Sequence, residues 1–220
     1  MIELPEFEKT YDYENYFYLT CDPQRVGKLI AHYELFKMAG DIEGAIVECG
    51  VFKGASFVRF AMFRNLFESK FEKKIIGFDS FDAFPLTEFE PDIKMRYDFV
   101  EECGEQSIST EQLMNVLKNK NCHNHIELIG GEITKTVPEY AAKNPDLNIS
   151  LLNLDTDIYE PSVAILENLY PRLSKGGVLI LDDYNVFPGE TKAVDDYFKG
   201  RSVEIKKFPF SMTPSYLIKP

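Results

Sequence analysis

The chain has 220 residues, 45% of them hydrophobic, which is enough for one sizeable core and short for two. Its formal net charge of −12 argues against a broad nucleic-acid-binding face or an anionic membrane surface as partner, although an acidic protein can still bind cations. With no secretory signal pattern and no apolar run near the roughly 18 residues that span a bilayer, we predict a single cytoplasmic domain whose cysteines are free thiols.

An N-terminal helical cap is predicted over residues 1–40, where Asp22 and Pro23 mark a helix start and apolar residues follow at helical spacing. Beyond the cap, short apolar runs that end in an acid or a glycine alternate with segments of helical spacing. The predicted strands are 45–48, 74–79, 126–129, 150–155 and 177–182, and the predicted helices are 54–67, 135–143, 161–173 and 190–199. This alternation requires crossover connections, so we predict a mainly parallel sheet with helices on both faces.

Two further segments depart from the alternation. Residues 201–208 and 216–219 are short strands with no helix between them, which predicts an antiparallel hairpin that closes the sheet. Residues 81–110 form a long stretch, rich in aromatic and acidic residues, between a strand and the next helix, and stretches of this length are usually lids or insertions. We therefore expect one domain over residues 1–220 that carries a lid-like insertion.

Polar residues follow the first two predicted strands at the edge where open α/β sheets bind ligands. The first strand leads into residues 48–56 (ECGVFKGAS), where Gly50 permits a tight turn and the next helix offers free N–H groups. The glycines of this segment are not spaced as in GxGxxG, and a strand-to-helix turn that binds no ligand explains the segment equally well. Asp79 ends the second strand, where an acid either accepts hydrogen bonds from both hydroxyls of a ribose or caps the turn before Ser80.

Acids also follow the fourth and fifth predicted strands. If these strands are neighbours, their ends lie about 5 Å apart, and the carboxylates of Asp155, Asp182 and Asp183 crowd together unless a cation lies among them. Oxygen ligands without histidine or thiolate favour a hard ion, Mg²⁺ first and Ca²⁺ or Mn²⁺ as alternatives. The alternative is that Asp157 and Asp183 cap helices and one acid faces the cleft, while Glu160 belongs to the start of the next helix.

Three stretches carry a family resemblance: residues 47–57 (VECGVFKGASF), residues 75–85 (IIGFDSFDAFP), and residues 151–198, which combine DTDIYE with GGVLILDDY and a later PG. They resemble the macrocin O-methyltransferase family. The resemblance implies a Rossmann-like class I methyltransferase fold, with a seven-stranded sheet whose last strand is antiparallel. It also implies transfer of a methyl group from S-adenosylmethionine, with Mg²⁺, to a hydroxyl of a deoxyhexose, a nucleotide-linked sugar, a glycosylated natural product or a polysaccharide.

The resemblance also implies roles for individual residues. The methionine part of the cofactor would be held by Glu48, Gly50 and Ser56, its ribose by Asp79, and its adenine near Ser80, Gly131 and Glu132. Mg²⁺ would be bound by Asp155, Asp182 and Asp183, and the acceptor proton would go to Asp155 as first choice or Asp157 as second. Self-association through the N-terminal elements is implied too, so the tyrosine-rich start is expected to be an interface or a lid.

Other functions stay open at this point. The same metal geometry serves a catechol or phenol acceptor, because either can chelate an ion through two oxygens. A cofactor-binding scaffold without activity would also keep these residues. An NAD-dependent dehydrogenase is disfavoured, because GxGxxG and a suitably placed Tyr-xxx-Lys pair are missing. His123 and His125 do not follow a predicted strand, and we expect them in exposed loops.

Overall fold

The computed structural model describes residues 2–67 and 72–220. The α-helices are α1 (Thr10–Thr20), α2 (Pro23–Met38), α3 (Ala55–Leu66), α4 (Glu90–Cys103), α5 (Thr110–Asn119), α6 (Ile133–Lys143), α7 (Tyr159–Asn168) and α8 (Pro188–Phe198). The strands are β1 (Ala45–Cys49), β2 (Ile75–Asp79), β3 (Ile126–Gly130), β4 (Ile149–Leu154), β5 (Leu173–Leu181), β6 (Lys206–Lys207) and β7 (Ser215–Ile218). Two 3₁₀ turns, Phe7–Lys9 and Tyr170–Arg172, complete the regular structure in this part of the chain.

The strands form one sheet, seven-stranded in the described residues, in the order β3-β2-β1-β4-β5-β7-β6. The first five of these are parallel, β7 is antiparallel to β5, and β6 is antiparallel to β7. The predicted class I methyltransferase fold is therefore confirmed. Strand order reverses between β1 and β4, and in sheets of this kind the ligand cleft lies outside the carboxyl ends of the strands at that point.

Helices cover both faces of the sheet. One apolar cluster packs α6, α7 and α8 against one face, and a second packs α2, α3 and α5 against the other. Every residue of β1, β2 and β4 is buried, which is why these strands read as continuous apolar runs in the sequence. Four polar residues interrupt them: Glu48 in β1, Asp79 in β2, and Ser150 and Asn153 in β4. Glu48 and Asn153 are fully buried and paired in register.

Two predicted boundaries were wrong. The predicted helix 161–173 ends at Asn168, because Pro171 lacks the N–H that would continue it, and β5 begins at Leu173 rather than at residue 177. The predicted strand 201–208 contributes only Lys206–Lys207, at the sheet edge and shortly before Pro209. Pro171 thus explains the first of these departures.

The N-terminal helices differ in their burial. Asp22 caps α2 by accepting a hydrogen bond from Gln24 N at 2.8 Å, as the Asp22-Pro23 pair predicts. α2 buries Leu35 and Phe36 against the core. In contrast, α1 buries none of its residues and leaves aromatic side chains exposed. Its role as an interface or a lid stays a prediction.

The insertion over residues 81–110, predicted to be lid-like, contains a helix, α4, that the sequence analysis did not predict. Asp92 is the only residue of α4 that is buried, and the apolar residues of this helix, such as Met95 and Phe99, are at most half-buried. The Asp92 carboxylate accepts hydrogen bonds from Tyr159 N at 3.0 Å and Gly189 N at 2.7 Å. These bonds anchor the insertion to the first turns of α7 and α8, at the rim of the cleft.

Across residues 2–67 and 72–220, no helix combines the length and the apolarity needed to cross a bilayer. The four cysteines are free thiols, of which Cys49 and Cys122 are buried.

Candidate active site

A cavity of about 930 Å³ opens at the carboxyl ends of β1, β2, β4 and β5, which is large among small-molecule sites. Its wall combines the turn after β1, the acids after β4 and β5, and parts of α2, α3 and the insertion. The predicted site residues that line it are Gly50, Ser56, Asp79, Ser80, Gly131, Glu132, Asp155, Asp157, Asp182 and Asp183. The strand order therefore gathers these residues, which are distant in sequence, around one volume.

Gly50 sets how closely the turn after β1 approaches the end of β4. Its φ of +92° lies in the left-handed region, and a Cβ at this position would fall 1.6 Å from the carbonyl oxygen of Asp155. Only glycine allows both the backbone conformation and the contact. Gly50, which was predicted to permit a tight turn, thus lets this turn pack directly against Asp155.

Asp79 is bound to the same turn. Its Oδ2 accepts from Val51 N at 2.8 Å and Phe52 N at 2.9 Å, and its Oδ1 accepts from Phe81 N at 2.7 Å. A carboxylate has about four lone-pair sites, so a ribose would share this carboxylate with the turn. The geometry matches the alternative role, capping a turn, and the ribose contact stays a prediction.

Glu48 lies behind the cavity wall. It is fully buried, and Ser56 Oγ donates to its Oε1 at 2.8 Å. Burial raises the pKa of Glu48 to about 8, so the side chain holds a proton at neutral pH. Ser56 lines the cavity and Glu48 supports it from behind, an indirect arrangement that the sequence did not predict.

The predicted convergence of acids is present. Because β4 and β5 pair with Leu154 beside Leu181, the residues that follow each strand lie side by side. Asp155, Asp182 and Asp183 each offer a carboxylate oxygen, and these oxygens all lie within 4.8 Å of one another. Asp182 is buried and the other two are partly exposed to the cavity.

The charges of the cluster are strongly perturbed. Burial and the nearby Asp182 raise the pKa of Asp155 well above its usual range, and burial and Asp157 do the same to Asp183. Burial and Asp155 raise the pKa of Asp157 to about 7. Burial acts to raise the pKa of Asp182 as well, but the Lys28 ammonium group and His32 hold it well below its usual range. The cluster therefore keeps protons that a bound cation would displace.

The donor set fits a hard divalent cation. All three donors are carboxylates, and no histidine nitrogen or thiolate is among them. Asp182 Oδ1 is buried, lies 3.5 Å from His32 Nε2 and accepts no hydrogen bond within the described residues. A buried carboxylate oxygen without a hydrogen bond is unfavourable, and a bound cation would compensate it.

Sequence reasoning missed a basic face on α2. Arg25, Lys28 and His32 are spaced i, i+3 and i+7, so they lie on one side of the helix. Lys28 Nζ donates to Asp182 Oδ2, and His32 stacks on Phe60 with the ring centres 5.1 Å apart. The segment RVGKLIAH shows this spacing, but the prediction of the helix used only its apolar residues.

A further acid, Glu190, holds the loop after β5. It is fully buried in the first turn of α8, and its Oε1 accepts from Asp183 N at 3.0 Å. Its own N–H donates to Asp157 O at 3.1 Å, so it connects the two acidic loops. Burial and the charge of Asp183 raise its pKa well above the usual range. In the sequence, the one signal for this role is that Glu190 directly follows Pro188 and Gly189.

Glu160 has a role beyond the start of α7. It lies in the first turn of that helix as predicted, and its Oε1 accepts from Glu88 N at 2.8 Å and Phe89 N at 3.1 Å. Thr87 Oγ1 donates to its Oε2 at 2.9 Å. The third acid of DTDIYE thus attaches the insertion to the cavity wall.

Comparison with known proteins gives one family. The model of the family described as macrocin-O-methyltransferase (TylF) matches residues 17–210. A similar protein of Streptomyces olivaceus, 8-demethyl-8-(2,3-dimethoxy-alpha-L-rhamnosyl)-tetracenomycin-C 4'-O-methyltransferase, is 31% identical over 74% of this chain and 61% of its own length. Demethyldecarbamoylnovobiocin O-methyltransferase of Streptomyces niveus is 26% identical over 73% of this chain and 60% of its own. The chain spans about three fifths of the length of these relatives.

Solved structures share the fold. The calicheamicin methyltransferase CalS11 superposes with a TM-score of 0.78 at 28% identity, over 95% of this chain and 85% of that protein. An apo structure of CalS11, described as a TDP-rhamnose 3'-O-methyltransferase, gives 0.68 at 26% identity, over 97% of this chain and 86% of its own. The O-methyltransferase NovP gives 0.72 at 23% identity, over 87% of this chain and 78% of its own, a likeness of fold.

Proposed function

Because the chain belongs to the macrocin O-methyltransferase family, we propose that it transfers a methyl group from S-adenosylmethionine to a sugar hydroxyl in a Mg²⁺-dependent reaction. The observation that carries the proposal is the convergence of Asp155, Asp182 and Asp183 beside the large cavity. The names of two relatives support a sugar acceptor, since one is a methyltransferase of a rhamnosyl-tetracenomycin and the other of TDP-rhamnose.

The cofactor is proposed to lie along the ends of β1, β2 and β3. Gly50 lines the cavity shortly before α3 begins, and Ser56 presents its hydroxyl group from the first turn of that helix. Asp79, Ser80, Gly131 and Glu132 line the part of the cavity proposed for the nucleoside. Glu48 acts by orienting Ser56 and makes no contact of its own with the cavity.

The metal is proposed to bind Asp155, Asp182 and Asp183. When bound, S-adenosylmethionine supplies the methyl group and Mg²⁺ polarises the acceptor hydroxyl group. The three carboxylates supply negative charge in one place, and the Lys28 ammonium group offsets part of it through Asp182. Glu190 fixes the backbone of Asp183, so the loop that carries two of the ligands is held in position.

Proton removal is assigned to Asp157 with Asp155 as the alternative. Asp157 lines the cavity and, unlike Asp155, is not one of the three proposed metal ligands, so its carboxylate remains available to accept the proton of the acceptor hydroxyl group. Asp155 was the first choice from sequence, and it remains the group that faces the cavity directly after β4.

The test is a methyl-transfer assay over a panel of nucleotide-linked deoxysugars and catechols, with and without EDTA. Transfer to a sugar that stops on addition of EDTA supports the proposal. Transfer to catechols alone would favour the phenolic acceptor, and binding of S-adenosylmethionine without turnover on any diol would favour a scaffold. The cytoplasmic location and self-association through the N-terminal elements stay predictions.

A further inference from the structure

Two arginines on the cavity wall form no salt bridge within the described residues. Arg25, in the first turn of α2, is exposed, and its side chain makes no ion pair or hydrogen bond within the described residues. Arg59, on α3, is partly buried, and its guanidinium group contacts one atom, His32 Nδ1, at 2.9 Å from Nη1. Both line the cavity. A guanidinium group has five N–H donors, so nearly all donors of this pair remain available to a ligand.

The two arginines act on each other as like charges. Burial is the largest effect on Arg59 and lowers its pKa, and the carboxyl group of Glu48 opposes this. The charge of Arg25 lowers the pKa further, while the more weakly acting Asp182 and Asp155 oppose it. An anion bound by both guanidinium groups would relieve their mutual repulsion. Arginine pairs of this kind suit phosphate oxygens, which accept parallel hydrogen bonds from the planar guanidinium group. We propose that Arg25 and Arg59 form a subsite for a phosphate or diphosphate group of the acceptor.

The position of Arg25 favours the acceptor over the cofactor. Lys28, one turn after Arg25 on the same face of α2, donates to Asp182 at the end of β5. The first turn of α2 is tied to the segment before β7 by the bond from Met212 N to Gln24 Oε1, at 2.9 Å. Asp79 and Gly131, proposed for the nucleoside of the cofactor, follow β2 and β3 on the other side of β1. Arg25 therefore lies on the side of the acid cluster, toward the solvent.

Charge gives a second argument for a dedicated anion site. The chain carries a net charge of −12, and the acids of the cavity add local negative charge. An anionic acceptor would be repelled unless cations met its charged part. Lys28 is hydrogen-bonded to Asp182, whereas Arg25 and Arg59 form no salt bridge or hydrogen bond with a carboxylate within the described residues.

This inference rests on the proposed function and narrows its substrate class. The acceptor would be a sugar that still carries a nucleoside diphosphate, not a sugar already attached to an uncharged aglycone. The methyl group would then be added before a glycosyl-transfer reaction consumes the nucleotide-linked sugar. Binding can be measured without turnover, so the subsite can be tested even if methyl transfer to sugars is not found.

The experiment measures binding of inorganic pyrophosphate and of thymidine diphosphate by calorimetry, in EDTA, to the full chain saturated with S-adenosylhomocysteine. The variants are Arg25→Gln, Arg59→Gln and, to restore the charge, Arg25→Lys. The matched control is Lys53→Gln, which removes a cation from the same cavity wall, where Lys53 Nζ is bound to the carbonyl oxygen of Cys103. Melting temperatures check that each variant folds, and the exposed Arg25 keeps the test valid if Arg59→Gln does not.

We expect Arg25→Gln and Arg59→Gln to weaken binding of thymidine diphosphate about 10- to 100-fold, which is the size of a lost charged hydrogen bond. Arg25→Lys should recover part of this loss, and Lys53→Gln should leave the affinity unchanged. The affinity for S-adenosylhomocysteine should stay within about twofold in all variants. Absence of diphosphate binding, or binding equal in all variants, would overturn the proposal. A loss of S-adenosylhomocysteine affinity in Arg25→Gln would also overturn it and assign the arginines to the cofactor.

Discussion

Replacing Gly50 by alanine should destabilise the protein and displace Asp155. A residue other than glycine at a φ of +92° costs about 1–2 kcal/mol. The new Cβ would also lie 1.6 Å from the carbonyl oxygen of Asp155, and overpacking of this kind costs about 1–3 kcal/mol more. Together these give a loss of about 2–5 kcal/mol in the free energy of unfolding.

The chain offers a matched control. Gly200 also has a positive φ, +76°, but a Cβ there would meet nothing within 4 Å. Gly200→Ala therefore carries the backbone cost of about 1–2 kcal/mol without the contact. Urea unfolding of both variants, compared with the wild type, isolates the effect of the close approach. If Gly50→Ala destabilises the protein no more than Gly200→Ala does, the inferred close approach of the turn to Asp155 is contradicted.

Three other substitutions test separate parts of the site. Asp155→Asn should lower methyl transfer by about 100-fold or more without a large fall in melting temperature, because it relieves carboxylate crowding; a large fall would indicate a structural role instead. Asp79→Ala should raise the Kd of S-adenosylhomocysteine about 10-fold or more, since the turn N–H groups of Val51 and Phe52 also lose their acceptor, and calorimetry that finds unchanged affinity would count against this role. Burial raises the pKa of Glu48 from 4.5 to about 8, so the folded state holds a proton that the unfolded state releases. The stability this provides is complete below pH 4.5 and is lost as the pH rises through about 8. Glu48→Gln should therefore flatten the fall in unfolding free energy across that window, and an unchanged slope would contradict the buried protonated state.

The parts of the fold that the sequence predicted are those where burial leaves a simple pattern. β4 is buried at every position, so it reads as an apolar run that stops where Asp155 begins. The prediction that the acids after β4 and β5 lie close together assumed only that these two strands are neighbours, and they are paired in parallel. The acid cluster could therefore be predicted from strand ends alone.

Other parts left no such pattern. α4 buries only Asp92, a polar residue whose partners are backbone N–H groups some 70 to 100 positions away along the chain. Glu160 likewise binds N–H groups of a distant segment, which no local spacing reveals. The basic face of α2 has a readable spacing, but its meaning depends on Asp182, which only the folded chain brings beside Lys28.

The central claim is that the acid cluster supports a metal-dependent methyl transfer to a sugar hydroxyl. Its most direct test measures transfer of labelled methyl from S-adenosylmethionine to nucleotide-linked deoxysugars after treatment with EDTA and again after addition of Mg²⁺. The account predicts that transfer stops with EDTA and returns with Mg²⁺, while S-adenosylhomocysteine binds in both conditions. Transfer to a sugar that continues unchanged in EDTA would contradict it.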